Sequence, residues 1–403
     1  MNTTQTPELA AGATSRSRDR GIYVYIAVFS AVLNTVLLIA PVIAGQLSEQ
    51  FSLTPGQVGF LFSVELGSFS LATIPAYLWL PRLNLRIATF VFTGIFIIGN
   101  VVSGLVTSYP QLLGVRLITS LAAGSIIVII LSISGRTGNR NRAFGIFVVS
   151  QLAMGALVLA IIPPIFVNHG VSAVYWGLAV LALLSLPVAR LIPGTEFLRT
   201  AASAALPRPD RSRLPVGRIA LGLLGVLLFY IALSGTWSFM VGIATGAGLA
   251  PDTSSRILSV ATVAGIASAV TATIIGSRGN RAWLLAVGYV FMAVSILLLF
   301  GGPGVVRFAV AAIIFKFTWT FILPFILSSI ADLDQGGQMM NTTNLMIGTG
   351  FAIGPAVSGV LIERMGGSFA GMLTLGVGGI AFSAICVLAI QKRQSKTTEG
   401  VRK

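Results

Sequence analysis

The sequence predicts an all-α membrane protein of twelve transmembrane helices, arranged as two pseudo-symmetric six-helix bundles. Three observations predict it. Apolar residues fill 55% of the 403 positions and charged residues only 9%, where a soluble chain carries about a quarter charged. The apolar residues gather into twelve runs, each near the roughly 20 residues that a spanning helix needs. The basic residues collect at alternate ends of those runs, as the positive-inside rule requires. A mean hydropathy of +0.93 agrees.

The first six runs lie at about 23–45, 57–80, 87–107, 110–134, 143–167 and 172–193. The second six lie at about 219–243, 255–275, 282–300, 307–331, 341–362 and 369–391. Five segments follow: a cytoplasmic tail 1–22, a bundle 23–193, a linker 194–217, a second bundle 218–391 and a cytoplasmic tail 392–403. The linker, GTEFLRTAASAALPRPDRSRLPVG, is rich in Pro and Arg, as interhelical loops are. With both termini cytoplasmic, 21 of the 26 Lys and Arg fall on the cytoplasmic side. That placement accounts for the net charge of +15 without any nucleic acid. The first 20 residues are polar and show no cleavable leader. The expected location is the inner (plasma) membrane, and a monomer is expected.

The two halves repeat. Pro81-Arg82-Leu83-Asn84-Leu85-Arg86 follows the second run, and Gly276-Ser277-Arg278-Gly279-Asn280-Arg281 follows the eighth. Gly155 in the fifth run has Gly354-Pro355 as its counterpart in the eleventh. At these residues, and over essentially all of 20–391, the chain resembles the major facilitator superfamily of secondary transporters. Arg82 and Arg86 match the arginines of that family's motif between helices 2 and 3, although Pro81 stands where its acid belongs. The second copy keeps Arg278, Gly279 and Arg281, again without the acid. Arg116 followed by Gly124 resembles the fourth-helix motif whose arginine the family associates with proton coupling. Asp332, Asp334 and Gly336, with Gly350 to Pro355, look like the usual lead-in to the eleventh helix. The antiporter signature of the fifth helix keeps only Gly155, which tilts the reading away from drug/proton exchange.

Three ionisable residues fall inside predicted helices: Glu65, Arg116 and Lys316. A charge at the bilayer centre costs about 2.5–3.5 kcal/mol even on the lenient scale, so such residues face the bundle interior and mark function. Glu65 is eight residues into its run and Arg116 seven, which puts both roughly 10–12 Å below the outer surface. A Glu65–Arg116 pair follows. It is either a proton-coupling device, in which a carboxyl that loses its arginine to substrate takes up a proton, or a static pair pinning two helices.

Lys316 lies 200 positions after Arg116, the equivalent place in the second half. Two cations at matched depth point at the pseudo-twofold axis, where such carriers bind substrate. With Glu65 spent on Arg116, no interior acid remains for Lys316; an unpaired buried ammonium would lose its proton or seek an anion, and an anionic substrate would satisfy it. Trp319 and Thr320 share its helix face at i+3 and i+4. The alternative for Lys316 is a gate bonded to backbone carbonyls. Asn34 in the first run either donates to substrate or bonds across helices. Tyr230, Ser234 and Trp237 recur on one face of the seventh run, as a cavity wall, or with Trp237 as an interfacial anchor.

These residues lead to an expected function: proton-coupled uptake of a small organic anion, a carboxylate with an apolar or aromatic body, by alternating access. Proton coupling falls to Glu65 and Arg116, and substrate to Arg116, Lys316, Trp319, Thr320, Asn34, Tyr230 and Trp237. The rival within transport is a proton-driven efflux antiporter for drugs or metabolites. An enzyme is not expected, because the single histidine, His169, sits in a loop and no acid cluster lies inside the membrane. One cysteine, Cys386, excludes a disulfide framework and a thiol metal site. No cofactor is expected beyond the proton gradient, and no Gly-x4-Gly-Lys loop is present for ATP.

Overall fold

A computed structural model describes residues 6–80, 82–135, 137–192, 216–276, 280–331 and 338–401. Most of the expected linker falls outside them, as do Pro81, Arg278, Gly279, Asp332, Asp334 and Gly336. Among the described residues, eleven helices are long and apolar enough to cross a membrane. In the first half these are α1 (Asp19–Phe51), α2 (Pro55–Ala76), α3 (Leu85–Ser103), α4 (Tyr109–Ser134), α5 (Arg140–Ile162) and α6 (Ser172–Leu191). The second half supplies α7 (Val216–Ser238) and α8 (Pro251–Ile275). After them comes α9 (Arg281–Leu297), then α10 (Val305–Ile330), α11 (Thr342–Arg364) and α12 (Ala370–Gln391). The twelfth expected span is therefore α9, which is apolar but only 17 residues long. At 1.5 Å per residue it reaches about 25 Å, near the lower limit for a crossing.

The helix boundaries follow from capping. Thr54 and Gln57 form a reciprocal capping box at the start of α2, with Pro55 at the first helical position. Asn84 caps α3 and Asn280 caps α9 through side-chain oxygens. Pro187 turns the end of α6 into a 3₁₀ segment, Leu186–Leu191. The first helix already begins at Thr6, within the expected tail 1–22, and the last continues to Val401, within the expected tail 392–403. His169, expected in a loop, ends the helix that contains α5. Three helices are interrupted, at Asn34 in α1, at Ala72 in α2 and at Phe239 just past α7. A short helix, Met240–Gly246, follows the last break.

Packing reveals the pseudo-symmetry directly. In the first half α1 packs on α5 and α6, α2 on α4, and α3 on α4 and α6. In the second half α7 packs on α11 and α12, α8 on α10, and α9 on α10 and α12. Each pairing recurs with six added to both numbers. The halves meet through α2 against α11 and α5 against α8, which the same operation exchanges. Gly155 and Gly354, expected as counterparts, do equivalent jobs: a Cβ on Gly155 would strike Leu38 of α1, and one on Gly354 would strike Ser234 of α7.

The α2–α11 seam is the tightest contact between the halves. A Cβ on Gly59 would collide with the Pro355 carbonyl, and one on Gly359 with the Pro55 carbonyl. The Ser63 hydroxyl accepts from the Ala356 backbone N–H of α11 at 2.9 Å, a further tie across the seam. Gly59→Leu should cost about 1–3 kcal/mol through overpacking. A lowered melting temperature in detergent is the expected result, with Gly94→Leu as control, since a side chain at Gly94 meets nothing within 4 Å. Equal melting of the two variants would contradict this picture of the seam.

Candidate functional site

Between the two halves lies a cavity of about 810 Å³. Its wall runs from Leu37 and Leu38 of α1 and Glu65 of α2 to Asn141 and Gly145 of α5 and Ile274 of α8. The last three are exposed and lie at the ends of α5 and α8 that share a face with both termini. The cavity therefore opens toward the terminal face. On the opposite, far face it is shut by the α2–α11 seam and by α7 lying against α1.

All three predicted intramembrane charges line this cavity. Arg116 and Glu65 form an ion pair, Nη2 to Oε1, between α4 and α2. Both are deeply buried, at 1% and 4% exposure. Arg116 has two further partners that the sequence reading missed. Its Nη1 donates to Asn100 Oδ1 of α3 at 3.0 Å, and its guanidinium lies 4.7 Å from the centroid of the Tyr175 ring of α6. Asn100 is itself held by donating to the Phe96 carbonyl at 2.8 Å. The arginine is thus fixed from three sides by charge, dipole and ring face.

Lys316 stands differently. It is 1% exposed, and its Nζ has no hydrogen-bond partner among the described residues. Two indoles hold it instead, with Nζ 3.9 Å from the ring centroids of both Trp237 and Trp319. The expected alternative, a gate bonded to backbone carbonyls, is not what the geometry shows. Phe315 stacks on Trp237 at 6.3 Å between centroids, and Phe351 lies 6.4 Å from Trp319. The lysine sits in an aromatic cage whose open side is the cavity.

The weaker candidates divide. Trp319, Thr320, Asn34 and Tyr230 line the cavity. Thr320 donates to the Lys316 carbonyl at 3.2 Å. Asn34 lies at the break in α1 and donates within its own helix, to the Ser30 carbonyl at 3.1 Å, not across helices. Tyr230 meets Phe351 edge-on at 4.9 Å. The face expected as one wall is split among three partners, because α7 is surrounded. Tyr230 faces the cavity, Ser234 donates to the Gly350 carbonyl of α11, and Trp237 turns to α1. Trp237 is neither an interfacial anchor nor a wall residue. It is 1% exposed, and its Nε1 donates to the Leu37 carbonyl at 3.0 Å, bridging the halves.

A second bridge was not foreseen. On the far face, Glu363 of α11 accepts from the Thr54 hydroxyl and the Gly56 backbone N–H of α2, each at 3.1 Å. A carboxylate at a helix N-terminus complements the unpaired amides and the helix dipole. Glu363 closes the far end of the same seam that Gly59 and Gly359 make close. Among the described residues, no group of His, Cys, Asp or Glu has the makings of a metal site.

Comparison with known proteins places this architecture. The model of the Major Facilitator Superfamily matches residues 24–333. The nucleoside transporter NupG has the same fold, with a TM-score of 0.69 at 13% identity over 93% of this chain and 98% of that one. A point mutant of NupG gives 0.70 at 15% identity, covering 93% and 99%. A bacterial homologue of the human lysosomal transporter Spinster, inward-facing and unoccupied, gives 0.65 at 15%, covering 93% and 97%. No curated protein sequence matches this chain closely enough to count as a relative.

Proposed function

The chain belongs to the major facilitator superfamily and is a multi-pass membrane transporter, and on that premise we propose that it takes up a small organic anion together with a proton. One observation carries the reading: the fully buried amine of Lys316 faces the cavity with aromatic rings but no hydrogen-bond partner around it among the described residues. Burying an ion costs several kcal/mol, and cation–π contact returns about 2 kcal/mol when desolvated. The balance is available to a bound anion. Glu65, the acid lining the cavity among the described residues, is already committed to Arg116.

The cavity otherwise is largely apolar, with Phe69, Phe144, Phe147 and Phe351 in its wall and a few uncharged polar side chains such as Gln151 and Ser120. Its chemistry suits a carboxylate on an aromatic or branched body, the carboxylate at Lys316 and the body against Trp319 and Tyr230. The cycle then follows from the charges. Arrival of the anion gives Arg116 a second anionic partner, the loosened Glu65 carboxyl takes a proton, and the loaded site keeps the net charge of the empty one through the rocking of the halves, with the Lys316 charge now paired. The distribution of basic residues supports a cytoplasmic terminal face, in a plasma (inner) membrane on our reading. The cavity described here is then the release state.

Glu65→Gln in proteoliposomes tests the coupling. With one proton per anion, an inward gradient of one pH unit supports about tenfold accumulation. The variant should exchange anion yet accumulate none against its gradient. Proton-driven accumulation equal to the parent's would remove Glu65 from the cycle and leave a static ion pair.

A further inference from the structure

We propose that Trp237 is a positioning residue that makes opening of the far face conditional on an anion at Lys316. The proposal rests on the anion reading above and deepens it. Trp237 does two things with one ring. Its face carries the Lys316 ammonium at 3.9 Å, and its edge donates Nε1–H to the Leu37 carbonyl of α1 at 3.0 Å. The first contact belongs to the substrate site and the second to the join between the halves. Trp237 touches both because it sits at the far end of α7, two residues before the break at Phe239. Leu37 lies three residues past the break in α1 at Asn34. Both helices are thus interrupted beside this bond, and the piece after the α7 break, Met240–Gly246, packs on the far part of α1.

The ring is also locked to α10. Phe315 lies parallel to it at 6.3 Å and 9°, and Trp319 meets it edge-on at 5.9 Å. Lys316 is the pin of this stack, wedged between the two indoles. An anion entering from the cavity competes for that ammonium. A charge-assisted hydrogen bond is the stronger interaction, so Nζ is drawn off the indole faces toward the cavity. Trp237 then keeps its bond to Leu37 without the cation that holds its ring in place. The α7–α1 join on the far face loosens most readily when the site is filled. The empty carrier opens that face only slowly, so its return is the slow step and exchange outruns net uptake.

The test is pulsed electron–electron spin-label distances between Glu49→Cys and Ser368→Cys, exposed far-face positions in opposite halves, in a Cys386→Ala background with benzoate as the probe anion. The parent should show short distances alone and a long component with benzoate. Trp237→Phe, which keeps a ring under the lysine and loses the donor, should show the long component without benzoate and still bind it. Lys316→Met should show it too and should not respond to benzoate. The matching transport result is a ratio of exchange to net uptake that falls toward unity in Trp237→Phe. Ligand-free distances like the parent's in both would overturn the proposal, as would loss of benzoate binding in Trp237→Phe, which would make Trp237 a binding residue. If the parent fails to bind benzoate while Trp237→Phe still opens, the anion reading falls and the linkage with it, leaving a bare seal.

Discussion

Arg116→Ala should cost more stability than any other single change in the cavity, about 3–5 kcal/mol, because it leaves Glu65 buried without its cation. The cost is for an unpaired charge, so it should be largely relieved by removing the other partner. The Arg116→Ala/Glu65→Gln double variant should melt well above Arg116→Ala alone, although neither accumulates substrate. Thermal unfolding in detergent of the parent, both singles and the double gives the coupling energy directly. Additive losses would mean that the two side chains do not depend on each other. Asn100 and the Tyr175 ring remain in either case and have no charge to substitute for the arginine.

Lys316→Met is the second large effect, and it separates transport readings rather than structural ones. Methionine keeps the length and the apolar stem beneath Trp237 and Trp319 and deletes the charge. Losing one member of a buried charge pair typically costs about 2–5 kcal/mol, on the order of 10²–10³ in affinity. Carboxylate uptake should fall by that factor with the fold intact, since no acidic partner among the described residues is stranded. Uptake of a neutral or cationic compound at the parent rate in Lys316→Met would favour an efflux or nucleoside-like specificity.

The architecture was largely legible in the sequence, because spanning helices must be apolar for some 20 residues and the loops must carry the basic residues. The charged trio was legible for a related reason. Glu65, Arg116 and Lys316 stand in apolar runs, where a charge has few tolerable places other than an interior cavity, and their depths could be counted along the helices. The length of α9 was harder, since flanking loop residues such as Phe300 extend its apolar run beyond the helix.

What was not legible depends on distances between helices. Asn100 is a polar residue in an otherwise apolar run and offered a signal, but nothing along the sequence says that it reaches Arg116. Trp237 shares a helical face with Tyr230 and was grouped with it; only the approach of α1 turns its indole donor away from the cavity. Glu363 lies at the edge of its run and reads as a loop residue, while its role comes from the N-terminus of α2, some 300 positions away. The break at Ala72 was signalled by Pro75, which has no N–H for the Leu71 carbonyl and crowds it; those at Asn34 and Phe239 carry no proline or glycine of their own.

The central claim is that the cavity selects an anion through Lys316 and moves it with a proton. The most direct measurement is a competition panel in proteoliposomes, with aromatic and branched carboxylates, nucleosides and organic cations tested with and without an inward proton gradient. Carboxylates alone should compete, the gradient should drive their accumulation, and their esters should not compete. Recognition confined to cations or nucleosides, or carboxylate uptake indifferent to the gradient, would contradict it.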